Sequence, residues 1–337
     1  MAKILAIESS CDETAASVIS DGKLLSNIVS TQIEVHRKYG GVMPEIASRL
    51  HAENISIVIK ESLEEAKITF ADLDAVAVTR GPGLIGALHV GLQAAKTISM
   101  LYNIPLIPVH HLAGHIYANE YVSEFKFPML AVVVSGGNTE LVLMRNHLDF
   151  EIVAETRDDA IGECYDKVAR VLGLPYPGGV PIDKLAKEGV HAYDLPEPLK
   201  GEKTLDLSYS GLKTNVINLV HNLEQKGEQV NVANMCKSFQ DVAVGQVVDR
   251  TIKAVKMYEV NQVILAGGVS ANSYLRSRMR EEMEKLNVQI DIPPMWCCTD
   301  NAAMIAKVAE RLYDLKVFAP LDLSVDPNWS IEEWNKF

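Results

Sequence analysis

"LAIESSCDET" at residues 5–14 and "LAVVVSGGNT" at residues 130–139 align at a constant offset of 125. Leu5 falls on Leu130, Ala6 on Ala131, Ser10 on Ser135 and Thr14 on Thr139. In both, an apolar run enters a polar turn and leaves it as a second apolar run, "AASVI" in one and "ELVLM" in the other. Short apolar runs bounded by turn residues read as strands. A strand–turn–strand unit found twice points to a duplication, and so to two similar lobes facing a shared cleft. The 337-residue length agrees, being too long for one ordinary core.

The flanking segments fill in the class. "KILAIE" (3–8), "AASVIS" (15–20) and "KLLSNIVST" (23–31) read as three strands, the last two joined by "DG", a hairpin signal. Residues 45–67 have a helical pattern, with Ile46, Leu50, Ile57 and Leu63 as its apolar positions. "DAVAVTR" (74–80) is a buried strand, and "GPGLIGALHVGLQAAKTISML" opens a helix after a glycine-rich turn. "IPLIPV" (104–109) is another strand, "QVILAGGVSAN" (262–272) a strand ending in glycines before a helix, and "CCTDNAAMIAKVAERLYDL" (297–315) a turn and a helix. Strands alternating with helices give an α/β fold, in which ligands bind beyond strand ends. The expected division is a first lobe of 1–110 with 305–325, a second of 111–304, and a tail of 326–337.

Net charge is −12, unlike a freestanding nucleic-acid binder with its basic stripe. Any such surface must be local or lent by a partner. The small basic clusters "HRK" (36–38) and "RSRMR" (276–280) read as solvated helix faces. Cys11, Cys164, Cys236, Cys297 and Cys298 are scattered, odd in number and without a CxxC pair, the usage of a reducing compartment. No run of about 20 apolar residues is present, and "MAKILAIESS" reads as a strand rather than a signal peptide. A cytoplasmic location is expected.

Three turns are candidate phosphate sites: "SGGN" (135–138), "PGGVPID" (177–183) and "AGGVSAN" (266–272). Glycine lets backbone N–H groups approach an anion, and a following helix adds its dipole. Gly-Gly is also an ordinary turn, and none has the P-loop or Rossmann spacing. A second signal is "HHLAGH" (110–115), where His111 and His115 stand at i and i+4. On a helix the two share a face and can hold one ion; the alternative is a pair of ordinary helix histidines. Leu112 occupies the HExxH glutamate position, which counts against a water-activating metalloprotease. Asp300 is a candidate third ligand, or else it or Thr299 caps the following helix. Cys297 and Cys298 read as a small buried pair.

"ESSCDETAASV" (8–18), "HHLAGH" (110–115), "VSGGNTEL" (134–141), "DDAIGECYDKVAR" (158–170), "YPGGVPIDKLA" (176–186) and "LAGGVSANSYLR" (265–276) together resemble one family. It is the tRNA adenosine threonylcarbamoyltransferases, once described as O-sialoglycoprotein endopeptidases, and the bacterial TsaD branch is the nearest in pattern. The resemblance covers residue 3 to about residue 310. It implies the duplicated fold of actin, Hsp70 and the sugar kinases, with two lobes around a nucleotide cleft and most of the adenylate pocket in the second lobe. It implies that His111, His115 and Asp300 hold one divalent ion, iron or zinc. It places Val134, Ser135, Gly136, Gly137, Asn138, Asp166, Gly179, Asp183 and Asn272 in the adenylate pocket.

The implied reaction moves a threonylcarbamoyl group from threonylcarbamoyl-adenylate to the N6 amine of the adenosine beside the anticodon, in tRNAs reading codons that begin with A, and releases AMP. Implied partners are tRNA, a smaller paralogue of the same fold, an ATPase and the adenylate synthase; no membrane is involved. Asp12 and Glu13 sit in the first turn and, at the offset of 125, fall on Gly137 and Asn138 of the second. One of them could deprotonate the amine, or both could serve the turn. Two other readings stay open, a kinase or ATPase of the same superfamily and a non-enzymatic nucleotide-binding scaffold. Phosphoryl transfer uses Mg²⁺ held by carboxylates and water, so the histidine pair speaks against the first; a degenerate scaffold would have lost that pair.

Overall fold

The computed structural model describes residues 2–336. They form two compact units, residues 2–123 with 294–336 and residues 124–293. In chain order the first unit opens with β1 (Lys3–Glu8), β2 (Glu13–Ser20), β3 (Lys23–Thr31), α1 (Ile33–Arg37) and α2 (Pro44–Ala66). It continues with β4 (Ala75–Gly81), α3 (Ile85–Tyr102), β5 (Leu106–His110) and α4 (His111–Tyr117). The second unit holds β6 (Met129–Val134), β7 (Thr139–Met144), β8 (Phe150–Glu155), α5 (Ile161–Val171), α6 (Gly179–Ala186), α7 (Ser210–Gln225), α8 (Val232–Tyr258), β9 (Gln262–Ala266), α9 (Ser273–Leu286) and β10 (Gln289–Asp291). The chain then returns to the first unit with α10 (Met295–Cys298) and α11 (Ala302–Asp314).

Each unit has one five-stranded sheet, ordered β3-β2-β1-β4-β5 in the first and β10-β9-β6-β7-β8 in the second. In both, the opening strand pairs antiparallel with its hairpin partner and parallel with a later strand. The offset of 125 is kept in the pairing: Leu5 lies opposite Val18 and Leu130 opposite Leu143. The central strands β1 and β6 are buried almost throughout, which is why they read as unbroken apolar runs rather than alternations. Asp21 and Gly22 both have positive φ, 49° and 75°, the backbone a tight hairpin between β2 and β3 requires.

α2 buries Ala47, His51, Val58, Ile59, Ser62 and Leu63. Ile57, expected among its apolar positions, is 51% exposed. Neither basic cluster is simply a solvated face. His36 is buried and bonded to Gln32, and Arg276 donates to the Ser270 and Pro293 carbonyls.

The units do not follow the expected boundaries at 110 and 304. α4 packs on α11, whose buried face includes Ala302, Met304, Ile305, Ala309 and Leu312. A Cβ on Gly114 would come within 2.8 Å of Ile305 Cδ1, so glycine is what allows this approach. The last residues are not a separate tail. Arg80 donates to the Ser324 and Lys336 carbonyls and lies 4.4 Å over the Trp329 ring. His110 Nε2 donates to the Trp329 carbonyl at 2.8 Å.

Candidate metal centre and nucleotide-binding turns

In the first unit, β5 runs directly into α4, so "HHLAGH" straddles a strand end and a short helix. His110 is the N-cap: its Nδ1 accepts from Leu112 N at 3.2 Å, while its Nε2 donates to Trp329. Burial pushes its pKa down to about 3, so it is neutral. His111 and His115 share one face, as their spacing requires. Their rings meet edge to face at 4.8 Å.

Asp300 completes the group. Its Oδ1 lies 3.0 Å from His115 Nε2 and 3.6 Å from His111 Nε2. One ligand atom from each of the three residues can be chosen so that all lie within 4.8 Å of one another. The capping alternative for Asp300 fails, since Asn301 caps α11 by accepting from Met304 N at 3.0 Å. Cys297 and Cys298 are buried, outside any disulfide, and do not belong to the cluster found among the described residues.

Behind this group sits a residue the sequence reading did not single out. The Glu8 carboxylate, fully buried, accepts from His111 Nδ1 at 3.0 Å. Burial alone would lower the His111 pKa, but Asp300 and Glu8 raise it to about 9. Burial opposes ionisation of Asp300 too, yet the two histidines draw it down to about 2. Glu13 is pushed up to about 10 by burial and by the negative charge of Asp12 and Asp300. The unit thus gathers four acidic side chains, Glu8, Asp12, Glu13 and Asp300, close enough to act on one another or on His111. Two imidazoles and a carboxylate are a donor set that suits zinc or iron, and a divalent ion would offset the excess negative charge.

In the second unit, Ser135–Asn138 form the turn between β6 and β7, at the position Ser10–Glu13 hold in the first. Ser135 N donates to the Asn138 carbonyl at 2.8 Å, and Ser135 Oγ accepts from Asn138 N at 3.0 Å. Gly136 and Gly137 are exposed, with open space where a Cβ would sit. α5 begins against this turn: Gly162 N donates to Ser135 O at 3.2 Å. Gly267, at φ 88°, closes on Val134 O. Asp166 accepts from Gly178 N at 2.7 Å, which fixes the turn that opens α6 at Gly179. Asp183 accepts from Ser273 Oγ and Ser273 N. Its neighbour Asn272 caps α9 through Leu275 N and donates to Gln240 Oε1 at 2.8 Å. The three glycine turns named from sequence are therefore three real strand-end or helix-start turns, and Asp183 and Asn272 meet at the same helix N-terminus.

The family model described as TsaD, tRNA N6-adenosine threonylcarbamoyltransferase, matches residues 23–307. A tRNA N6-adenosine threonylcarbamoyltransferase of Listeria welshimeri is 54% identical over 333 residues, covering 98% of this chain and 97% of that one. One from Geobacillus kaustophilus is 54% identical over 327 residues, covering 96% of each. Among solved structures, full-length HypF in its phosphate- and nucleotide-bound form superimposes with a TM-score of 0.60 at 16% identity, over 92% of this chain and 46% of that one. Component A of the Acidaminococcus fermentans (R)-2-hydroxyglutaryl-CoA dehydratase gives 0.54 at 15%, over 91% and 97%. At such identities the likeness shows the fold alone: two α/β lobes of the actin, Hsp70 and sugar-kinase kind.

Proposed function

The chain belongs to the tRNA N6-adenosine threonylcarbamoyltransferases, and from that premise we propose how its residues divide the work. The reaction is transfer of a threonylcarbamoyl group to an adenosine N6 amine in tRNA. The donor is threonylcarbamoyl-adenylate, and the acceptor is the adenosine beside the anticodon in tRNAs that read codons beginning with A. The amine nitrogen bonds to the carbamoyl carbon, the bond from that carbon to the phosphate oxygen breaks, AMP leaves, and the amine gives up one proton.

The second unit's turns hold the adenylate. The backbone of Val134–Asn138 approaches its phosphate, which glycine at 136 and 137 permits. Asp183, Asp166, Gly179 and Asn272 receive the nucleoside. In the first unit, His111, His115 and Asp300 hold one divalent ion, iron or zinc. When bound, that ion supplies a Lewis acid for the acyl oxygen. One of the two acids in the first turn, Asp12 or Glu13, takes the amine proton. The exocyclic amine is a poor nucleophile, which makes its orientation by the protein a large part of the rate.

The observation that supports this most is the convergence of two histidines and Asp300 beside a buried carboxylate. It argues against the kinase or ATPase alternative, whose ion is held by carboxylates and water. A smaller paralogue, an ATPase and the adenylate synthase are proposed as partners on the family resemblance. A substrate tRNA supports a cytoplasmic location; separately, no helix among the described residues is long and apolar enough to cross a membrane. The test is an assay with tRNA and threonylcarbamoyl-adenylate, with and without those partners. Modified tRNA and AMP in equal amounts are expected. ATP hydrolysis without modified tRNA would decide for the alternative.

A further inference from the structure

Glu8, the last residue of β1, is fully buried. Its Oε1 accepts from Ser10 N, and its Oε2 accepts from Thr79 Oγ1 at 2.7 Å and from His111 Nδ1 at 3.0 Å. These donors come from the turn after β1, from β4 and from the start of α4, so the carboxylate is held from three sides. An ionised carboxylate only accepts hydrogen bonds, and a neutral imidazole has one N–H. With an ion bound, His111 would keep one proton, held on Nδ1 by Glu8 with Ser10 Oγ 3.1 Å away, and would turn the lone pair of Nε2, the atom nearest Asp300, to the ion. The other histidine has no such support: His115 Nδ1 is buried with no hydrogen-bond partner.

We propose that Glu8 is the positioning residue of the metal centre, fixing the tautomer and ring angle of His111 so that Nε2 is the ligand atom. This rests on the metal-site reading above. Outer carboxylates that orient a ligating histidine raise its basicity and remove its rotational freedom, and losing one commonly weakens metal binding 10–100-fold. The rival explanation is that Glu8 only ties β1 to β4 through Thr79. Removing the Thr79 bond alone separates the two.

The experiment measures zinc affinity by chelator competition in the full chain, for wild type, Glu8→Gln and Thr79→Val, with circular dichroism of the metal-free proteins as the folding control. Glu8→Gln should bind zinc about 10–100-fold more weakly, while Thr79→Val should keep most of the affinity. Equal affinity in Glu8→Gln and wild type overturns the inference, as does a matching loss in both variants. Should Glu8→Gln not fold, nitrogen NMR of histidine-labelled, zinc-loaded wild type decides: His111 protonated on Nδ1 and ligated through Nε2 is expected, and the opposite tautomer overturns the inference. Wild type that takes up no zinc, iron or cobalt would instead sink the metal-site reading itself, and this inference with it.

Discussion

Residues 110, 111 and 115 are all histidine, yet the first has a different task from the other two. His110 is an N-cap and a clip on the Trp329 carbonyl; His111 and His115 face Asp300. His111→Ala and His115→Ala should each lose the bound ion and the transferase activity while keeping the fold, as read by metal analysis and circular dichroism. His110→Ala should keep the ion and lose about 1–2 kcal/mol of stability, the scale of a lost cap, in a denaturant titration. A second contrast lies at the start of α11. Asp300→Ala should abolish metal binding, whereas Asn301→Ala should cost about 1 kcal/mol of stability with metal still bound. If the two behaved alike, the separation of ligand from cap would be wrong. That separation could not be read beforehand, because Thr299, Asp300 and Asn301 are all good capping residues and only backbone geometry picks one. Glu8 was hidden for a related reason: in "KILAIE" it reads as the end of a strand, and its partner lies 103 residues away.

Among the elements, local pattern carried far. The strands of the first hairpin, the "DG" turn and the helix expected over 45–67 and found over 44–66 are legible because each depends on neighbours in sequence. The division at residue 110 failed because α4 is claimed by α11, whose sequence lies beyond the whole second unit. Glycines at close approaches are the elements' weak points. At Gly162 a Cβ would meet Ser135 O at 2.5 Å and Gly136 Cα at 2.8 Å, so Gly162→Ala must push α5 away from the turn between β6 and β7. We expect a loss of about 1–3 kcal/mol, as for an overpacked core, together with weaker AMP binding by calorimetry and an unchanged metal content. Unaltered AMP affinity in a folded variant would remove that turn from the proposed pocket.

For the whole molecule, charge decides two outcomes. The metal-free chain should lose stability toward both acid and alkaline pH. His36, His51 and His110 are held neutral with lowered pKa values, so the unfolded chain binds more protons below about 6.5 and acid destabilises. On the alkaline side, His111 keeps its proton from about 6.5 up to about 9, and Glu13 keeps its own from about 4.5 up to about 10. Here the folded chain binds more protons, and stability falls as pH rises. Melting curves from pH 5 to 9 test this, and zinc should flatten the alkaline side, because a ligated nitrogen has already given up its proton. The second outcome concerns tRNA. At a net charge of −12 the isolated chain should bind tRNA weakly near physiological salt, and an assembly with partners should bind in a manner that falls steeply with added salt. Tight, specific binding by the chain alone would show that its own surface suffices. Finally, the second unit is inserted between His115 and Asp300, which are 185 residues apart. On a ribosome adding about 5–20 residues per second, the two histidines emerge roughly 10–40 s before their carboxylate partner, and Trp329 later still. An unfinished nascent chain therefore presents two of the three proposed ligands, and the centre can be completed only after residue 300 has emerged.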